Sequence, residues 1–377
     1  MIATRYQEAN ASTALGSRKR FSYHVTDKQR YNLQRMNIQR NSRRTIALGS
    51  LLIVLSASCL LVAADLRVPF GSWTRASQTP ILAPQGDGWE SAGTFNPAVV
   101  AHDGKIVMLY RAQDKKGTSR LGYAESIDGI HFTRRPEPVL SPEAEYEKDG
   151  GVEDPRLVKF GDTYYLTYTG YNTKDAQLSL ATSHDLIHWE RKGVILPAYK
   201  GNWNTGWTKS GAIVPEKIDD KYWMYFLGTT PDKNDQMGLA YSTDLIHWTE
   251  ATKTPVLPRR PGQFDSRVVE PGPPPIVTPN GIVLIYNGAD DKLVYRTGVA
   301  VFDRKDPRKV LYRSEQPIFG PEKDGKRLAR FPTSYSSKGW LNTAAAICFI
   351  TAAQTSTSAW PKPHHYSELS GGRQSNA

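Results

Sequence analysis

One phrase recurs three times along the chain: Ser126-Ile-Asp-Gly-Ile-His-Phe132, Ser183-His-Asp-Leu-Ile-His-Trp189 and Ser242-Thr-Asp-Leu-Ile-His-Trp248. Its copies start 57 and 59 residues apart, a period that marks a repeat array and not one continuous core. A short alternating run precedes each copy, and a proline-punctuated segment follows at 136–140, 194–197 and 255–258. The runs at 106–110, 164–168, 222–226 and 282–286 are rich in aromatic and β-branched residues and bounded by Gly, Asp and Asn, which predicts strands. Several strands per unit, repeated about a circle, predict an all-β fold of the β-propeller type. No stretch interrupts the repeats with helical periodicity.

Composition narrows the function. The 9 Trp and 19 Tyr suit packing between sheets, and they also suit a carbohydrate cleft, where aromatic faces stack on sugar C–H surfaces. Much of the net charge of +11 sits in residues 1–44, in Arg18-Lys-Arg20, Arg40 and Arg43-Arg44. The remainder has no Lys/Arg stripe with interleaved aromatics, so nucleic acid is not an expected partner.

Residues 45–64 carry no charge and are about as long as a bilayer crossing requires. The basic flank predicts a cytoplasmic N-terminus, and Val62-Ala63-Ala64 fits the small-residue pattern of a signal-peptidase site. The segment is expected to be a signal peptide, for which Met36 would be a conventional start, or a membrane anchor. Either way the following domain is expected in the periplasm or outside the cell, with the membrane as a partner only if the segment is retained. The two cysteines are Cys59 and Cys348; Cys59 lies in the apolar segment, so no disulfide framework is expected. The expected organisation is a basic segment over 1–44, the apolar segment over 45–64, a β-propeller over 65–326 and an aberrant, disordered tail over 327–377.

The strongest local motif is Gly150-Gly-Val-Glu-Asp-Pro-Arg-Leu157. A carboxylate at the start of an innermost propeller strand points to the central channel. Pro155 fixes the backbone after Asp154, and Arg156 offers a charge to a carboxylate or a substrate oxygen. Polar residues occupy the matching station elsewhere: Thr94-Phe-Asn-Pro97 with Arg111, Thr208-Lys-Ser-Gly-Ala212, and Phe264-Asp-Ser-Arg267 followed by Glu270-Pro-Gly-Pro-Pro-Pro275. Glycoside cleavage commonly uses two carboxyl groups, one protonating the leaving oxygen and one activating water. Asp154 and Glu270 come from different repeats and are candidates for that pair. His131, His188 and His247 recur at one point of the repeat and are read as structural, tying a turn to its neighbour. No His/Cys/Asp cluster has ligand spacing, so no metal or other cofactor is expected.

In this order, Asn96-Pro-Ala98, Arg111, Glu153-Asp-Pro-Arg156, Lys209-Ser-Gly211, Phe264-Asp-Ser266 and Gly272-Pro-Pro-Pro275 resemble glycoside hydrolase family 130. The resemblance covers roughly residues 80–322. It implies a five-bladed β-propeller acting on β-mannosides, by phosphorolysis or by hydrolysis. It implies that Asp154 is the proton donor, that Asn96, Arg111 and Asp265 hold the sugar, and that Lys209 holds phosphate in the phosphorylases. Phosphorylases of the family commonly carry His in a Tyr-His-Gly motif; here it reads Tyr286-Asn-Gly288. The hydrolytic branch carries an acidic residue just before Gly-Pro-Pro-Pro, as Glu270 does here. A carboxylate repels phosphate and can serve as base toward water, so inverting hydrolysis is the expectation. That branch has a second acidic residue, for which Glu216 is a candidate. A phosphorylase using inorganic phosphate and a non-catalytic glycan-binding propeller are the alternatives; the latter has no use for two opposed carboxylates.

The resemblance calls for a fifth blade after about Pro321, and the strand pattern vanishes from Ser334 onward. Reading one frame out from about Arg327 admits a sequence containing YYGGADKYVGVA. That string echoes Tyr286-Asn-Gly-Ala-Asp-Asp-Lys292 and Thr297-Gly-Val-Ala300. The fifth blade is therefore expected to be incomplete here, lost to a frameshift.

Overall fold

The computed structural model describes residue 77 and residues 79–320. Expectations for the basic segment, the apolar segment 45–64, both cysteines and the tail lie outside these residues. What is described is four consecutive antiparallel units with only a short 3-10 turn, Glu145–Glu147, besides strands. Unit 1 holds β1 (Gly93–His102), β2 (Lys105–Gln113), β3 (Ser119–Ser126) and β4 (Thr133–Arg134). Unit 2 holds β5 (Gly151–Phe160), β6 (Thr163–Tyr171), β7 (Ala176–Ser183) and β8 (Glu190–Leu196). Unit 3 holds β9 (Thr208–Ile213), β10 (Tyr222–Thr229), β11 (Asp235–Ser242) and β12 (Thr249–Glu250). Unit 4 has a broken inner strand, β13 (Val268–Pro271) and β14 (Ile276–Thr278), then β15 (Gly281–Ala289), β16 (Tyr295–Phe302) and β17 (Val310–Arg313). All four predicted runs fall in the second strand of a unit.

Each unit uses both faces of its sheet, because alternate side chains point to opposite sides. Val107, Leu109 and Leu121 of unit 1 pack on Leu157, Leu166 and Tyr168 of unit 2. Leu178 and Leu180 of unit 2 pack on Met224 and Phe226 of unit 3, and Tyr225 and Leu239 of unit 3 pack on Leu284 and Phe302 of unit 4. Each such large side chain contributes roughly 1.5–3 kcal/mol by leaving water. This successive face-to-face packing is propeller-like, with β1, β5, β9 and β13 innermost.

The repeated phrase builds one turn three times. In the first copy Asp128 Oδ1 accepts the amides of Ile130 and His131, and Oδ2 bonds His131 Nδ1 at 2.6 Å. Asp185 with His188, and Asp244 with His247, repeat the geometry. The histidines are thus structural, but each ties its turn to itself and not to a neighbour. Their side chains stay exposed.

Candidate active site

A β-bulge in each of three inner strands builds the site. Between Phe95 and Ala98, β1 sets two residues against one on β2, and β5 and β9 do the same at 153–156 and 209–212. The extra residue breaks the in–out alternation and re-aims side chains. The residue inside each bulge is Asn96, Asp154 or Ser210, with φ of 46°, 53° and 57°. Left-handed backbone in a residue other than glycine costs about 1–3 kcal/mol and collects at functional sites. Here three polar residues are held that way at one level of the fold.

The bulge residues and their neighbours form one buried network. Asn96 Nδ2 donates to Asp154 Oδ1 at 2.5 Å, and Arg111 Nη1 donates to the same oxygen at 3.1 Å. Arg111 Nη2 donates to Glu153 Oε1 at 2.5 Å, and Ser119 Oγ donates there too, at 3.1 Å. Burial holds the Glu153 carboxyl above the usual range, against the pull of Arg111 and with the help of the adjoining Asp154. Asn96 Oδ1 is buried with no hydrogen-bond partner, an unsatisfied acceptor of the kind that calls for an explanation. Glu270 is fully buried, and Ser210 Oγ donates to its Oε1. Asn287 stands opposite Glu270 across the β13–β15 ladder. Lys209 lies 4.9 Å above the Trp207 ring, and its charge reaches Glu153.

The remaining candidates are engaged elsewhere in the fold. Arg156 is fully buried. Its Nε donates to the Gly272 carbonyl, Nη2 to the Pro271 carbonyl and Nη1 to the Asp154 carbonyl, at 2.8, 2.8 and 3.0 Å. Glu270 Oε1 lies 3.6 Å from Nη2. Arg156 is therefore a strut from unit 2 to unit 4 that seats Glu270. Glu216 pairs with Arg304 in the turn beyond the far end of β9, away from the bulges.

Asp265 is also fully buried, and its carboxylate is held by three side chains. Oδ2 accepts from Tyr286 at 2.8 Å, Arg313 at 2.6 Å and Arg260 at 2.9 Å. The same staple recurs. Tyr110 and Arg134 donate to Glu90 at 2.9 and 2.7 Å, and Tyr168 and Arg191 donate to Glu147 at 2.7 and 3.0 Å. The sequence reading missed this staple and missed Glu153 and Ser210. Its signal was present as an aromatic–acid dipeptide ahead of each inner strand: Trp89-Glu90, Tyr146-Glu147 and Phe264-Asp265, with Trp203-Asn204 in unit 3.

The family model for beta-1,4-mannooligosaccharide phosphorylase matches residues 74–332. The chain is 40% identical over 276 residues to a 1,2-beta-oligomannan phosphorylase of Thermoanaerobacter sp. (strain X514), covering 70% of this chain and 88% of that protein. It is 35% identical over 268 residues to a beta-1,2-mannobiose phosphorylase of the same organism, covering 67% and 83%. It is 34% identical, with a TM-score of 0.62 over 72% of this chain and 89% of the other, to a solved structure reported for glycoside hydrolases of the GH130 family that target beta-1,2 mannosidic linkages in Candida mannan. The chain belongs to glycoside hydrolase family 130.

Proposed function

We propose that this chain cleaves β-mannosidic linkages in mannooligosaccharides, β-1,2 linkages first among them, with water as the acceptor. The linkage rests on what the relatives named above act on. Asp154 is the acid. Its bulge turns the carboxyl inward, Asn96 and Arg111 fix one oxygen, and Glu153, whose carboxyl burial holds above the usual range, lies beside it. Glu270 is the base that takes a proton from water, as the attack inverts the anomeric centre.

The single observation that carries hydrolysis is Glu270, a fully buried carboxylate seated by Ser210 and Arg156. Phosphate would have to approach three acidic side chains, Glu153, Asp154 and Glu270. Arg111 is already bonded to the first two, and Arg156 to two carbonyls beside the third. Like charges at such range oppose a dianion by Coulomb repulsion.

Phosphorolysis is the second reading, and the two Thermoanaerobacter relatives favour it. Lys209 would then hold phosphate. Incubation of β-1,2-mannobiose with and without phosphate separates the two. Free mannose at equal rates supports water, mannose 1-phosphate formed only with phosphate supports phosphorolysis, and no cleavage under either condition overturns the functional reading.

We also propose that the enzyme is exported, on the strength of the uncharged residues 45–64 behind Arg43-Arg44, and that the ring is completed by a fifth unit that is incomplete in the chain as written and restored by the alternative frame near Arg327. Two buried apolar faces face none of the four units: Val99, Met108 and Tyr110 of unit 1, and Val283, Ile285 and Val299 of unit 4. A fifth blade would lie between them.

A further inference from the structure

The Tyr–carboxylate–Arg staple is broken in unit 3. The residue paired with Ala124, Ala181 and Ala300 on the third strand of the other units is Arg134, Arg191 or Arg313; opposite Ala240 it is Glu250. Phe226 replaces the tyrosine, pairing with Gly238 as Tyr110 pairs with Gly122 and Tyr286 with Gly298. Asn204 replaces the acid, and Trp203 stacks on Phe226 at 6.0 Å as Trp89 stacks on Tyr110 and Phe264 on Tyr286. The cation of the staple has thus become an anion, and its partner a neutral amide.

A cavity of about 280 Å³ occupies the place, lined by Asn204, Phe226, Trp248 and Glu250, with Lys200 at its wall. Asn204 is 2% exposed, and its Oδ1 has no hydrogen-bond partner; neither has Glu250 Oε1. Glu250 Oε2 accepts the Asn202 amide. Burial holds the Glu250 carboxyl above its usual range. Two buried acceptors with no donor between them are costly, and in three sibling units a guanidinium supplies the donors.

We propose that this cavity binds the guanidinium group of a small organic cation, with Glu250 and Asn204 as its acceptors and Trp248 and Phe226 as its apolar walls. The site is separate from the bulge network, since it lies against the outer strand of unit 3. A planar guanidinium fits because it offers several donors in a fixed fork.

The test is thermal unfolding of the full chain in methylguanidinium chloride, with sodium chloride, methylammonium chloride and mannose as parallel arms. Methylguanidinium is expected to raise the melting temperature saturably, by about 3–5 °C at tenfold excess over its dissociation constant. Sodium chloride and mannose are expected to give no saturable shift, and methylammonium a smaller one. Glu250→Gln keeps the shape and the Asn202 bond and should abolish the shift. Asn204→Asp restores the sibling charge and should tighten binding about tenfold. No shift in the parent, an equal shift in Glu250→Gln, or a shift with mannose in place of methylguanidinium would each overturn the assignment.

Discussion

Replacing Arg156 with methionine tests the strut that joins units 2 and 4. The side chain is buried, and its guanidinium donates to three carbonyls and lies 3.6 Å from the Glu270 carboxylate. Methionine fills similar space but leaves the three acceptors and a carboxylate in a dry interior. Removing one partner of a buried charge pair costs roughly 3–5 kcal/mol. The hydrogen bonds to carbonyls belong to the same group, so their separate values of about 1.5–3 kcal/mol are not added. The expected loss is about 4 kcal/mol, or a melting temperature lower by about 8–16 °C for a domain of this size. Arg156→Lys should recover less than half, because a point charge cannot serve three separated carbonyls. Urea unfolding followed by tryptophan fluorescence reads the change, provided the slope m is unaltered. Combining Arg156→Met with Glu270→Gln should destabilise less than the sum of the two, by about 1 kcal/mol or more, since the second change removes the stranded charge. A loss below about 1 kcal/mol for Arg156→Met, or strict additivity in the double variant, would refute the strut.

Asp154→Asn should lower kcat by about a hundredfold to ten-thousandfold with little change in mannoside affinity, measured by steady-state kinetics and calorimetry; activity within threefold of the parent removes Asp154 from the mechanism. Asp128, Asp185 and Asp244 are held below the usual carboxylate range. The His hydrogen bond is the largest cause for Asp128 and Asp244; for Asp185 burial is the largest single influence and raises it, but the hydrogen bonds from His188, Ile187 and Ser183 together outweigh it. Their stabilisation is present above the unfolded value of about 3.8 and is lost as pH falls toward the depressed folded values. Melts between about pH 5 and pH 2 should therefore drop more steeply for the parent than for the triple Asp→Asn variant, and parallel curves would contradict this. Restoring the alternative frame near Arg327 should raise soluble yield and sharpen thermal unfolding; a clean resequencing of the present frame with a soluble, sharply melting chain would mean the tail is genuine.

The repeats were legible because the units share their strand chemistry and three of them share one turn. The aromatic runs fell on the second strand of each unit and the Ser-x-Asp-x-x-His phrases on turns, whereas the Asn-Pro and Asp-Pro pairs fell in bulges. Asn96, Asp154 and Glu270 stood out because they sit on the inner strands of different units, with Arg111 on the neighbouring β2. What alternation hid was direction. Asp154 and Arg156 are two residues apart and would share a face in a regular strand, but the bulge between Glu153 and Arg156 breaks that parity. Arg156 consequently points across to unit 4. The bonding of Asp265 was hidden for a different reason: its partners Tyr286 and Arg313 are 21 and 48 residues away. Only a comparison of the three aromatic–acid dipeptides identifies it as one of a set.

The central claim is that two carboxylates from different units cleave a mannoside with water. Proton NMR of β-1,2-mannotriose turnover, in buffer free of phosphate, tests it most directly, because it reports both cleavage and the anomer first released. The account predicts mannose appearing as the inverted α-anomer, unaffected by added phosphate, and suppressed by at least about a hundredfold in Asp154→Asn and in Glu270→Gln. Release of the β-anomer, a strict need for phosphate, or full activity in Glu270→Gln would contradict it.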